Sequence, residues 1–113
     1  MRVVHDHIVA LKEFIEGHLD ETLSISVIAD NYCVSISTLR KQFKKQYSIP
    51  LYKFILKQRM ERAMLMLKER RHSITDISLM VGYNDLSNFT HAFTNYFGAT
   101  PSCIVKNFDE TAK

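Results

Sequence analysis

The middle of this 113-residue chain concentrates side chains that donate hydrogen bonds. Wound as an α-helix of about 3.6 residues per turn, residues 35–47 place these donors opposite an apolar stripe. The stripe consists of Ile36, Leu39, Phe43 and Tyr47. If such a helix lay in the major groove of a nucleic-acid duplex, donors near its start would face base edges and donors further along it would face phosphates. The predicted base contacts are Ser37, Thr38, Arg40 and Lys41, and the predicted phosphate contacts are Lys44 and Lys45.

Charge is distributed unevenly along the chain, which carries +3 overall at neutral pH. Residues 31–71 contain eleven basic and two acidic side chains, a net of +9, whereas segments 1–30 and 72–113 are net −4 and −2. No acidic residue lies between Asn31 and Met60. A face that serves only solvation normally mixes both signs, so the basic segment favours a polyanionic partner.

A second segment, residues 85–97, repeats this phasing with a different polar face. Its apolar stripe is Leu86, Phe89, Phe93 and Phe97. The opposite face has no lysine or arginine, so it offers hydrogen bonds without a net attraction to phosphates. Its predicted base contacts are Ser87, Asn88 and His91, and its predicted phosphate contacts are Thr94 and Asn95. The first segment is therefore expected to provide most of the affinity, although a solvated surface residue is an equally good interpretation of His91.

Helical periodicity extends over nearly the whole chain and predicts an all-α fold of about seven helices without strands. The helices are expected at residues 3–18, 25–31, 35–47, 51–70, 74–81, 85–97 and 101–107. The expected N-caps are Ser24, Ser35, Ser73 and Asp85. The longest helix is expected to bury one broad face formed by Tyr52, Ile55, Leu56, Met60, Ala63, Met64 and Leu67.

An internal repeat organises these elements. With a shift of 50 residues, Ser35 falls on Asp85, Leu39 on Phe89, Phe43 on Phe93 and Ser48 on Gly98. Upstream of these positions the shift is 49, and it places Ile28 on Ile77 and Cys33 on Gly82. Each copy has the size of a helix-turn-helix motif. The alternative interpretation of the repeat is an ordinary helical bundle in which the periodicity arises by chance. We expect a first unit at residues 1–48, a linking helix at 49–71 and a second unit at 72–113, together one DNA-binding domain.

The length of the linking helix fits two such units on one duplex. A helix of about 20 residues is roughly 30 Å long, close to the ~34 Å that separates successive major-groove openings on one side of DNA. Helices 35–47 and 85–97 are therefore expected to enter successive major grooves.

The chain also resembles a known family, the AraC/XylS transcription regulators. The resemblance lies in the motif Ile77-Ser78-x3-Gly82-Tyr83-x-Asp85-x3-Phe89-x3-Phe93-x3-Phe97-Gly98-x-Thr100-Pro101, with Leu39-x3-Phe43-Lys44-Lys45 and Arg59-x3-Ala63-x3-Leu67 upstream. It implies a domain that binds double-stranded DNA as a monomer in the bacterial cytoplasm and activates transcription through contact with RNA polymerase. It also implies base contacts at Ser37, Arg40, Lys41, Ser87, Asn88 and His91. Cys33, His91 and Thr94-Asn95 depart from the family pattern.

Other functions find less support in the residues. No catalytic arrangement, phosphate-binding glycine loop or set of metal ligands has the required spacing, so neither an enzyme nor a cofactor or metal site is expected. No apolar run is long enough for a membrane span. Cys33 and Cys103 lie far apart in sequence and fit a reduced compartment, with Cys33 expected to be buried in a turn.

Two alternatives remain. One is a helical protein-interaction module that docks through the region of Met60, Met64, Met66 and Leu67. The other is a targeting domain cut from a larger regulator, because many members of the family carry a separate effector-binding or dimerisation domain. Steep weakening of binding by salt would favour DNA over an apolar protein interface.

Overall fold

Described residues cover the backbone at 2–19 and 29–111 and the side chains at 8–19 and 29–108 of this computed structural model. Within these ranges no strand occurs, residues 29–31 are helical, and six further helices have defined bounds. They are α1 Arg2–Gly17, α2 Ile36–Tyr47, α3 Leu51–Glu69, α4 Ile74–Met80, α5 Leu86–Phe97 and α6 Pro101–Thr111. The predicted all-α fold is confirmed, whereas the expected cap Ser24 lies outside the described residues.

Two compact units divide the chain within α3. The first comprises Met1–Gln58 and the second Arg59–Lys113. The helix itself continues over 19 residues across this boundary. Each unit therefore contains one copy of the repeat and one part of the long helix that links the two copies.

The core of the first unit forms where the apolar stripe of α1 packs against α2. Phe43 is fully buried, and its ring lies 4.9 Å from that of Tyr47 and 5.2 Å from that of Phe54, between centroids. The buried residues are Ile8, Leu11, Ile15, Leu19, Ala29, Leu39, Phe43, Leu51 and Phe54. Burying side chains of this size contributes about 1.5–3 kcal/mol each, so this core fixes the rotation of α2 about its axis.

The second unit repeats this arrangement, with α4 and α6 packed against α5. Phe89 and Phe93 are fully buried and take the places that Leu39 and Phe43 occupy in the first unit. The other buried apolar residues of this unit include Met60, Ala63, Met66, Leu67, Ile77 and Val81. The methionine region that the protein-interaction hypothesis required on the surface is thus largely interior.

Three apolar residues that were predicted to point inward are exposed. Ile36 is 36% exposed, Leu86 39% and Tyr52 68%. Ile36 and Leu86 are the first residues of their helices, where the Cα–Cβ bond tilts toward the N-terminus and carries the side chain past the end of the packed segment. Tyr52 instead lies off the buried stripe that Leu51 and Phe54 form. The predicted inward stripes are therefore wrong at these positions.

Two further predictions need correction. Cys33 is exposed instead of buried, because it forms part of the turn between two helices and its side chain lies outside the core. The last helix extends to Thr111 instead of ending at Asn107, since residues 108–111 contain no glycine or proline that would stop it.

Candidate nucleic-acid interface

Helix α2 is capped at both ends by serine. At the start, the Ser35 hydroxyl oxygen accepts a hydrogen bond of 3.0 Å from the backbone N–H of Thr38. At the end, Ser48 adopts a left-handed conformation with φ of 62°, and its N–H donates to the carbonyl of Lys44 at 2.8 Å. These caps satisfy backbone groups that the helix leaves unpaired, and they define where its polar face begins and ends.

The polar face of α2 is directed to solvent, as predicted. Ser37, Arg40, Lys41, Lys44 and Lys45 are exposed, and Thr38 is half-buried. The Thr38 hydroxyl oxygen accepts a 2.8 Å hydrogen bond from the Ser35 hydroxyl, which leaves the proton of Thr38 able to donate outward. All six residues thus remain able to contact a ligand that approaches this face.

No ion pair with another described residue neutralises the four cations of α2. Among residues 8–19 and 29–108, none of them forms an ion pair, whereas Lys12 pairs with Glu16 at 3.1 Å. Like charges on one helix face repel one another, and a polyanion bound there would relieve that repulsion. The electrostatics of this face therefore favour a phosphate-rich ligand.

A groove opens beside the cations, between α2 and the start of α3. Its volume is about 560 Å³, and it is lined by Arg40, Lys41, Lys44, Pro50, Leu51, Tyr52 and Ile55. We call it the α2–α3 groove. Sequence reasoning missed it because Tyr52 was assigned to the core. The sequence signal was the apolar pair Leu51 and Phe54, one turn apart, which indicates a stripe that leaves Tyr52 outside it, and both residues of the pair are buried.

Helix α5 has the same frame with different caps. The Asp85 carboxylate accepts a 2.7 Å hydrogen bond from the N–H of Asn88, and Gly98 ends the helix at φ of 82°. A shallow concave patch of about 860 Å³ covers the outward face and is lined by Leu86, Ser87, Asn88, Thr90, His91, Thr94 and Asn95. No lysine or arginine lines this patch.

Two predicted contacts on α5 already use donors within their own helix. The Asn88 side-chain amide donates to the Asp85 carboxylate at 3.3 Å, and the Thr94 hydroxyl donates to the carbonyl of Thr90 at 2.7 Å. Asn88 keeps a second N–H and its carbonyl oxygen for a base. Thr94 would have to turn its hydroxyl to reach a phosphate, so its predicted role needs a change of hydrogen bond.

One cation of the second unit has a structural position. The Arg59 guanidinium carbon lies 5.4 Å from the centroid of the Tyr83 ring, within cation–π range. Burial raises the pKa of the Tyr83 hydroxyl above its ordinary value of 10.0, and the adjacent Arg59 partly opposes this shift. Arg59 thus packs on Tyr83 in the turn that precedes α5, and the Tyr83 ring in turn lies 5.7 Å from the ring of Phe89, between centroids.

The described residues contain neither a cluster of three or more potential metal-ligating side chains nor a helix long and apolar enough to cross a membrane. Cys33 and Cys103 are both free thiols.

Comparison with known proteins agrees with this geometry. A family model described as a helix-turn-helix domain matches residues 28–107. The transcriptional activator AggR of Escherichia coli is 32% identical over 98 residues, which is 87% of this chain and 37% of AggR. The Msm operon regulatory protein of Streptococcus mutans is 36% identical over 92 residues, which is 81% of this chain and 33% of that protein. This chain thus spans about a third of the length of these relatives.

The fold also matches a solved structure. The DNA-binding domain of AdpA, a global transcriptional factor whose structure contains a target DNA, superimposes with a TM-score of 0.84 at 15% identity. The match covers 92% of this chain and 94% of that domain, and at this identity it establishes the shared fold alone.

Proposed function

Because the chain belongs to the AraC/XylS family of helix-turn-helix proteins, we propose that it is the sequence-specific DNA-binding domain of a transcription regulator. The observation that carries this proposal is the exposed row of cations on α2, none of which is ion-paired with any residue that the structure describes. The name of AggR as an activator supports activation as the outcome, and the AdpA domain provides an example of this fold with target DNA.

In the proposed complex, α2 enters the major groove with its capped N-terminal end toward the bases. Arg40 and Lys41 have the length and charge to donate to guanine, while Ser37 and Thr38 contact base edges at shorter range. Lys44 and Lys45, one turn further along, neutralise phosphates. The first unit therefore combines sequence reading with most of the electrostatic attraction.

The second unit adds selective contacts in this scheme. Helix α5 enters the next major groove, where Ser87, Asn88 and His91 meet base edges, and Asn95 and Thr94 lie nearer the backbone. Asn88 is suited to adenine, which offers one acceptor and one donor in the major groove. The contribution of this unit is sequence selection with little dependence on salt.

The wider role follows from the family. We propose that the domain binds as a monomer in the bacterial cytoplasm, recruits RNA polymerase and acts by binding, without catalysis. The relatives are about three times as long as this chain, which is consistent with its being the targeting domain of a larger regulator. The protein-interaction hypothesis loses support, because Met60 is fully buried and Met66 and Leu67 are 7% and 2% exposed.

Selection of bound sequences from a random duplex pool at moderate salt tests the proposal. We expect two short conserved boxes about one helical turn, roughly 34 Å, apart. A single box would mean that only α2 reads sequence. No enrichment would contradict DNA recognition and favour a protein partner.

A matched control separates recognition of the DNA sequence from nonspecific electrostatic attraction to DNA. The selected duplex and a scrambled duplex of the same composition are titrated with the same protein, because phosphate contacts alone bind both equally. Specific recognition requires tighter binding of the selected duplex, and equal affinities would contradict it.

A further inference from the structure

We propose that the α2–α3 groove holds a segment of the DNA sugar–phosphate backbone, with Tyr52 as an additional contact residue. This inference rests on the proposed function and adds a binding surface outside the two recognition helices. It starts from a tyrosine that contributes little to the core, since 68% of its surface is exposed.

The lining of the groove matches the chemistry of a DNA strand. One wall presents the cations Arg40, Lys41 and Lys44, and the other is formed mainly by apolar groups from residues 50–55. A nucleic-acid backbone alternates anionic phosphates with largely apolar sugar rings. Phosphates would lie along the cationic wall and deoxyribose against the tyrosine ring and the aliphatic floor.

The groove is also continuous with the face that is proposed to meet DNA. Arg40, Lys41 and Lys44 line the groove and belong to the outward face of α2. When that face lies in the major groove of DNA, the DNA strand that borders the major groove passes along the flank of α2. The Tyr52 hydroxyl then provides a neutral donor to a phosphate oxygen, as tyrosine does in other protein–DNA contacts.

The outward face of α5 is built differently. The concave patch there is lined by α5 alone and contains no lysine, arginine, tyrosine or phenylalanine. The α2–α3 groove thus gives the first unit one more backbone contact, which adds to the difference in affinity expected between the two units.

Fluorescence provides the direct test, because the chain contains no tryptophan. Tyr52→Trp places a single indole at the groove, and Tyr96→Trp places one at another exposed tyrosine, on α5, outside the groove. Acrylamide quenching is measured for both variants of the 113-residue chain with and without the selected duplex. We expect bound DNA to shield the indole of the Tyr52→Trp variant clearly more than that of the Tyr96→Trp variant.

Affinity gives the second readout. We expect Tyr52→Ala to weaken binding about threefold to tenfold, the effect of losing one neutral hydrogen bond with its packing. The loss is expected to be equal for selected and scrambled duplexes, because backbone contacts carry no sequence information. Tyr52→Phe isolates the hydroxyl, and Tyr96→Ala is the matched control with unchanged affinity. Thermal melting of each variant confirms that it folds.

The outcomes separate this inference from the proposed function. If the Tyr52→Trp variant binds DNA but its indole stays as accessible as before, the groove proposal is overturned while DNA binding stands. If no duplex binds even the unsubstituted protein, the proposed function fails as well. Shielding by sodium octanoate but not by DNA would overturn the proposal in favour of a site for small amphipathic anions.

Discussion

The two units use nearly the same backbone with different residues. In each, the N–H after the turn donates 3.0 Å back to a helix carbonyl, from Val34 to Ala29 and from Tyr83 to Ser78. The turn residue before it has a positive φ, 57° at Cys33 and 101° at Gly82. The turn geometry is thus common to both units, and only the second unit uses the residue type that adopts it without strain.

The ends of the two recognition helices differ in the same way. Ser48 and Gly98 both take left-handed conformations, and both donate 2.8 Å to the carbonyl four residues earlier. The outward faces differ in charge, with four cations on α2 and none on α5. The two units therefore share their backbone hydrogen bonds while their outward faces differ, the first being cationic and the second carrying neutral hydrogen-bonding groups.

The largest expected effect concerns the cations of α2. Replacing Arg40 or Lys41 with alanine is expected to cost about 1–3 kcal/mol of DNA-binding free energy and to relax base preference at one position. Fluorescence anisotropy on the selected duplex and on single-base variants measures both. Ser87→Ala and His91→Ala are the matched changes on α5, and equal losses from them would break the proposed asymmetry.

The next effect concerns Gly98, the glycine that ends α5 in the second unit. Gly98→Ala is expected to destabilise folding by about 1–2 kcal/mol, because alanine is strained at positive φ. A Cβ added at Gly98 meets no heavy atom within 4 Å, so the loss reports backbone conformation alone. Urea unfolding measures it, and Gly17→Ala, at the last residue of α1, without a positive φ and equally free of clashes, is the control with no such loss.

The converse change is expected to stabilise the first unit. Cys33→Gly removes the strain of a left-handed residue with a side chain, and part of this gain is offset by the greater entropy of glycine in the unfolded chain. We expect a net stabilisation of about 0.5–1 kcal/mol in urea unfolding. Cys33→Ala, which keeps the Cβ and removes the thiol, should leave stability nearly unchanged. Equal stabilisation by both variants would show that the thiol, and not the backbone, is responsible.

The smallest effect comes from giving α5 a cation. His91→Arg is expected to tighten binding of the selected duplex by about 0.5–1 kcal/mol, as an added charge near phosphates does at moderate salt. Anisotropy titration at two salt concentrations measures the gain, which should shrink at the higher one. His91→Gln, which is neutral, serves as the control. No gain from the arginine would indicate that His91 lies away from the DNA.

Much of the fold could be predicted because its signals are local. Ser35, Ser73 and Asp85 were identified as N-caps and each accepts the expected backbone hydrogen bond. The repeat was readable because core positions such as Phe43 and Phe93 recur at a fixed spacing and are both fully buried. Short-range chemistry of this kind is encoded within a few residues of the sequence.

The features that could not be predicted from the sequence depend on where neighbouring helices end. A helical wheel assigns Tyr52 to a face but does not record whether another helix reaches it, and the same holds for Ile36 and Leu86. The α2–α3 groove was missed for this reason, since it requires the relative placement of two helices. The contact residues on α2 and α5 stay predictions that DNA binding has to test.

The salt dependence of DNA binding tests the central claim, that the first unit supplies the electrostatic attraction. The logarithm of the binding constant is plotted against that of salt concentration for the unsubstituted protein and two double variants, Lys44→Ala/Lys45→Ala and Thr94→Ala/Asn95→Ala. We predict that the lysine variant lowers the steepness by about 2, near 0.9 per lost phosphate contact, while the α5 variant leaves it unchanged. Equal slopes for the two double variants would contradict the account.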